Sequence, residues 1–142
     1  MITLEQLAKI MRYAEPARVA LYLVPLNDAM TEYEINTPRR QAAFLAQLAH
    51  ESGCLRYVRE RASGAAYEYR KDLGNTMAGD GKRYKGRGLI QITGRNNYRL
   101  CSLALYGQAE TLLAKPELLE SVTPACRSAA WFWKTNKLNA LA

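Results

Sequence analysis

Leu4, Leu7, Ala8 and Met11 fall on one helical face, and Thr3-Leu4-Glu5-Gln6 has the form of a capping box, with Thr3 as N-cap and Gln6 reaching back to it. Pro16 is expected to end or kink this segment. Residues 17–24 read as helical up to a break at Pro25, and residues 26–34 as a further helix. Asn36-Thr37-Pro38 is a clear helix start, because Thr37 can cap and Pro38 suits the first helical position. Behind it, Ala42, Leu45 and Ala49, with Phe44 and Leu48 beside them, form a broad apolar stripe. That helix should pack in the core and carry His50 and Glu51 at its C-terminal end.

Residues 62–88 change character. They hold Gly64, Gly74, Gly79, Gly81, Gly86 and Gly88 among polar residues and tyrosines, which predicts a loop-rich region with short strands near residues 89–93. Helix returns at 96–106, briefly near 117–120, and again over 124–136, opened by Thr123-Pro124. Trp131-Phe132-Trp133 should anchor the last helix in the core. The fold class expected is mainly α, with a loop-rich groove and at most a small β element, in a single domain over residues 1–142.

Composition narrows the chemistry. The 142 residues carry 20 basic and 13 acidic side chains, a net charge of +7, which favours an anionic partner: nucleic acid, an acidic cell-wall polymer or a membrane surface. No apolar run approaches the ~18 residues that span a bilayer. The first residues lack the basic head, apolar run and small-residue cleavage site of a signal peptide, so a cytoplasmic start is expected. Cys54, Cys101 and Cys126 form no C-x-x-C, which suits buried, reduced thiols. With one histidine, His50, a His-rich metal site is not expected, nor is a cofactor.

Two stretches carry candidate chemistry. In AHESGCLRYVRE, Glu51 and Glu60 are nine residues apart. On an unbroken helix they would differ by about 900° and about 13.5 Å, and could not share a site. Gly53 is a natural helix stop, which would let the chain turn back and set Glu60 across a cleft from Glu51. Carboxyls about 6.5–9.5 Å apart suit inverting glycoside hydrolysis. Glu51, at the end of an apolar face, is expected to be partly buried and hard to ionise, whereas Arg59 and Arg61 should keep Glu60 ionised. In YKGRGLIQITGRNNY, Gln91 and Thr93 would point to one side of an extended segment and Ile90 and Ile92 to the other. Asn97 lies one helical turn further. Amides and a hydroxyl suit sugar recognition, since they donate and accept. A basic turn touching phosphates is the competing reading of this stretch.

Together, TPRRQAAFLAQLAHESG at 37–53, Glu60, GDGKRYKGRGLIQITGRNNY at 79–98 and PELLESVTPACRSAAWFW at 116–133 resemble glycoside hydrolase family 19, which holds plant-type chitinases and the related endolysins of phages and prophages. The resemblance covers roughly residues 36–138. It implies a lysozyme-like helical fold and inverting hydrolysis of β-1,4-linked N-acetylated amino sugars. Under it, Glu51 is the general acid, Glu60 the general base and Thr93 a holder of the attacking water. His50, Tyr84, Arg87, Gln91, Asn97 and Arg127 would contribute to substrate binding, His50 by orienting its neighbour. The family pattern continues with an Asn-Gly-Gly segment and a later arginine, which are not found before LNALA at 138–142, so the C-terminal part of the family domain is expected to be missing.

The leading expectation is therefore a peptidoglycan-degrading endolysin, stored in the cytoplasm and released to the wall through a holin-type lesion, without stable membrane insertion and without nucleic acid as partner. A chitinase acting on N-acetylglucosamine polymers, and an inactive wall-binding remnant, are the alternatives.

Overall fold

The computed structural model describes all 142 residues. It is mainly helical, with seven α-helices, four short 3-10 turns and no sheet. Helix α1 covers Leu4–Ile10, and its capping box forms as the sequence implies: Gln6 N donates to Thr3 Oγ1 and Thr3 N to Gln6 Oε1. Helix α2 runs without interruption over Pro16–Glu32, which corrects two expectations. Pro16 opens α2 at a position where its missing N–H costs nothing. Pro25 lies inside α2 and does not break it. Leu21 and Val24 beside it are exposed, so the proline lies on the outer face of the helix. Tyr22, Leu26, Ala29 and Met30 meanwhile bury the inner face on both sides of the proline. Each large buried side chain contributes about 1.5–3 kcal/mol, against about 3 kcal/mol for an interior proline.

Helix α3 spans Pro38–Glu51, capped by Thr37 Oγ1, which accepts from Arg40 N. Phe44, Leu45 and Leu48 are buried, whereas Ala42 of the expected stripe is exposed. The region after α3 holds 3-10 turns at Ala65–Tyr67 and Lys71–Leu73 and a four-residue helix α4, Asp80–Arg83. It is organised by buried polar anchors. Asp80 is 1% exposed and takes Arg95 Nε and Nη2 at 2.8 and 2.9 Å. Glu68 accepts from Gly79 N and Gly81 N at 2.9 and 2.8 Å. Gly81 has to be glycine: a Cβ there would stand 2.6 Å from the Gly64 carbonyl oxygen.

The strands expected near 89–93 do not form. Residues 88–91 make a tight turn closed by an antiparallel bridge between Arg87 and Ile92. The remaining helices are α5 (Arg95–Tyr106), α6 (Glu110–Ala114), absent from the sequence reading, and α7 (Val122–Thr135) after a 3-10 turn at Pro116–Glu120. Helix α7 starts before the Thr123-Pro124 pair. Pro124 is tolerated because first-turn N–H groups have no intrahelical acceptor.

Two apolar clusters result. The larger joins α1, α2, α3 and α7, with Trp133 edge-on to Phe44 at 5.5 Å between ring centroids. The smaller joins Tyr84, Ile92 and Tyr98 to leucines of α5 and α6. Ile90 packs against both clusters, so residues 88–92 lie at the seam between them. Cys54, Cys101 and Cys126 are free and buried, as expected. Burial pushes the Cys101 thiol up to about 12, and the Cys126 thiol upward as well, so neither is a nucleophile.

Candidate active site

Helix α3 ends at Glu51, as the paired-carboxylate reading requires. The chain then reverses through Gly53, Cys54 and Leu55, three consecutive residues with φ between 57° and 69°. This left-handed run is costly for the two non-glycine residues. Ser52, fully buried, offsets it: its Oγ donates to Leu48 O at 2.5 Å and accepts from Leu55 N at 2.8 Å. Arg56 N and Tyr57 N both donate to Ser52 O at 2.9 Å. Burial of Leu55 and Cys54 in the larger cluster holds the turn shut.

The reversal brings Glu51 and Glu60 onto one open cleft of about 360 Å³, lined also by Tyr57, Arg59, Arg61 and Gln91. Glu51 additionally borders a more apolar cavity of about 480 Å³, with Gln47, Ile90, Phe132, Trp133 and Leu138. Glu60 borders a strongly charged one of about 350 Å³, where Arg56, Arg59, Arg61 and Lys85 face two carboxylates, Glu60 and Glu120. The cavities share lining residues and form a groove along the seam.

The two carboxyls have unlike surroundings. Glu51 is exposed, which corrects the expected partial burial, because α3 ends at the surface just before the buried Ser52. Its Oε1 accepts from Gln47 Nε2 at 2.8 Å. Glu60 is half-buried and held at both oxygens: Gly86 N donates to Oε1 at 2.5 Å and Tyr67 Oη to Oε2 at 3.0 Å. Its flanking arginines do not pair with it, contrary to expectation. Arg61 Nη2 donates to Tyr57 Oη, and Arg59 Nη1 lies 4.0 Å from Glu120. Backbone and phenol donors, and not the arginines, hold its two oxygens.

Gln91 and Thr93 meet at the same wall, by a route other than an extended strand. Gln91 has φ 60°, and its side chain donates to Gly88 O. Thr93 Oγ1 donates to Gln91 O at 3.1 Å. A Cβ at Gly86 would stand 2.7 Å from Gln91 Oε1 and 3.2 Å from Thr93 Oγ1, so glycine there lets this wall reach Glu60. Asn97 is exposed on α5 and donates to Thr93 O at 2.8 Å.

Four other expected site residues lie elsewhere. His50 is exposed, lines none of the three cavities and makes no side-chain hydrogen bond, because it precedes Glu51 by one residue and so points about 100° away on α3. Tyr84 is a core residue whose hydroxyl donates to Leu113 O. Arg87 is buried behind the groove wall. Arg127 donates to Glu32 through Nη2 and Nε, at 2.7 and 3.0 Å, tying α7 to α2.

Tyr67 was not among the sequence candidates. The Asn75 side chain positions it, donating to Tyr67 O at 2.9 Å while accepting from Arg95 N at 2.8 Å. Burial and the adjacent Glu60 carboxylate hold the Tyr67 phenol above its usual value, so it remains a donor. Tyr67→Phe is expected to lower kcat roughly tenfold with little change in KM, since it frees one oxygen of Glu60 to swing. Steady-state kinetics on a soluble oligosaccharide would check this, and an unchanged kcat would refute it.

The helical fold thus sets two carboxylates from separate elements on one open cleft. Comparison with known proteins gives the particular family. The sequence model of glycoside hydrolase family 19, described as chitinase class I, matches residues 27–141. The chain belongs to that family. Endochitinase CHI of Arabidopsis thaliana is 40% identical over 103 residues, covering 69% of this chain and 36% of that protein. A family 19 domain-containing protein of Haemophilus influenzae is 29% identical over 133 residues, covering 72% and 64%. Chitinase C from Streptomyces griseus HUT6037 superposes with a TM-score of 0.72 at 28% identity, covering 93% of this chain and 54% of that one. The chain thus spans little more than a third of the plant relative's length.

Proposed function

We propose that the chain is a glycosidase that hydrolyses β-1,4 linkages between N-acetylated amino sugars with inversion, and that its substrate is peptidoglycan. The observation that carries the activity is the shared cleft of Glu51 and Glu60, with Glu60 fixed by two donors and Glu51 exposed at its mouth. Glu51, protonated, donates to the leaving glycosidic oxygen. Glu60, ionised, takes a proton from the water that attacks the anomeric carbon from the opposite face. Gln91 lines the cleft and Thr93 stands beside it next to Gly86, where that water and an acetamido group would be held.

The cationic end of the groove supports peptidoglycan over a neutral glycan. Arg56, Arg59, Arg61 and Lys85 line it beside Glu60, and the net charge is +7. Peptidoglycan carries carboxylates on its lactyl-peptide branches, whereas chitin carries none. An endolysin role, with holin-type release from the cytoplasm to the wall, belongs to the same proposal. Chitin is the second reading, favoured by relatives named endochitinases.

Reducing ends released from purified sacculi and from chitin oligomers test both readings. The expected result is faster cleavage of sacculi, falling with added salt as the cationic rim is screened. Products from chitin alone would move the substrate to the second reading. No products from either polymer would refute the glycosidase.

A further inference from the structure

The wall that holds Glu60 is itself held from behind. Residues 86–88 lie between residues 58–60 and Ile92, with antiparallel bridges from Arg87 to Arg59 and to Ile92. Glu60 N donates to Gly86 O at 2.9 Å, Gly88 N to Val58 O at 2.8 Å and Arg87 N to Ile92 O at 3.1 Å. The Gly86 N–H that grips Glu60 is therefore placed by Arg87, the next residue.

The Arg87 side chain is 10% exposed and lines none of the three cavities. Its Nη1 donates to Arg83 O at 2.6 Å and to Tyr98 Oη at 3.1 Å, and its Nε donates to Glu120 Oε2 at 2.9 Å. Glu120 supplies the only charged acceptor. It ends the 3-10 turn Pro116–Glu120, whose Pro116 and Leu119 are buried, so it stands on a rigid base. Its other oxygen faces Arg59 Nη1 at 4.0 Å. Cations on two neighbouring segments of the wall thus converge on one carboxylate. Glu120 borders the charged cavity beside Glu60, but with both oxygens facing arginines it is a tether and not a second base.

A buried guanidinium needs a charged partner to stay in place. Without Glu120, Arg87 would keep only a carbonyl and a phenol as acceptors. It would shift or draw in water, and Gly86 would shift with it. A general base is sensitive to such displacement, since a 1 Å error can cost about a hundredfold in rate.

We propose that Glu120 is a positioning residue for Glu60, acting through Arg87 and the Gly86 backbone. The proposal rests on the assignment of Glu60 as the base. The test is a double-mutant cycle on whichever polymer the wild type cleaves faster, with thermal melts on each variant. Glu120→Ala is expected to lower kcat about tenfold with KM within about twofold. Glu120→Gln, which keeps an acceptor for Arg87 Nε, should recover most of that loss. In a Glu60→Gln background, adding Glu120→Ala should change the residual rate by less than about twofold, because the two residues act as one unit.

Should Glu120→Ala not stay folded at the assay temperature, Arg87→Lys runs the same cycle. It keeps the charge, loses the fork, and is expected to show the same kcat loss and the same silence in the Glu60→Gln background. An unchanged kcat in the folded single variant, or a penalty that multiplies in full in the Glu60→Gln background, would overturn the proposal while leaving Glu60 as base. Full activity in Glu60→Gln, or no activity in the wild type, would overturn the functional reading and this one with it.

Discussion

Glu51→Gln is expected to reduce kcat about 10²–10⁴-fold while leaving the melting temperature within about 2 °C of wild type. The rate loss follows from the proposed role of Glu51 as donor of the proton to the leaving oxygen. The amide introduced by this change would keep the size of the side chain and could still pair with Gln47, but its protons are not acidic. The small stability effect follows from exposure: Glu51 sits at the end of α3, and its side-chain hydrogen bond is the one with Gln47. Surface changes of this kind usually stay within about 0.5 kcal/mol. Reducing-end release and a calorimetric melt, run on the same preparation, check both halves. A variant that keeps more than about a tenth of the wild-type kcat would move the general acid to another residue.

The largest stability effect is expected at Phe44→Ala. Phe44 is fully buried on α3 and meets the Trp133 ring of α7 edge-on at 5.5 Å. Removing a buried phenyl ring costs about 3–5 kcal/mol, through lost burial and an unfilled cavity. In a chain of this size that lowers the melting temperature by on the order of 10 °C. The consequence reaches the site, because Phe44 precedes Glu51 by two helical turns, and Trp133 lines the cavity beside Glu51. Loosening this contact lets the α3 terminus drift, so kcat should fall at temperatures well below the new midpoint. Chemical denaturation gives the stability half of the prediction; a cost below about 1 kcal/mol would mean that the cavity collapses without strain.

What was legible along the chain was local. The Thr3 and Thr37 caps act on N–H groups three residues away, and the stop after Glu51 is signalled by Gly53, whose φ is 57°. A cap or a turn is written in neighbouring residues, so a reader of neighbours finds it. The family motifs are local words too, and they marked Glu51, Glu60, Gln91 and Thr93, which the structure gathers at one seam. Proline misled the reading because the local rule counts one lost hydrogen bond. The apolar side chains that hold α2 straight against α7 come from both ends of the chain.

The misplaced residues share a cause. Arg127 reads as a groove cation until Glu32, 95 residues earlier, takes it. Arg87 reads the same way until Glu120, 33 residues later, draws it inward. A charged side chain goes where its desolvation is best compensated, and that partner is chosen by packing and not by spacing. Tyr67, Asn75 and Ser52 were invisible for the same reason. A tyrosine, an asparagine and a serine are ordinary residues until the fold sets a carboxylate, a carbonyl or a strained turn beside them. Most of the helices, their caps and the motifs that single out Glu51 and Glu60 thus follow from chemistry between near neighbours. The surroundings of those acids, with one exposed at the surface and one gripped by Gly86 and Tyr67, depend on contacts between segments that meet only when both apolar clusters have formed.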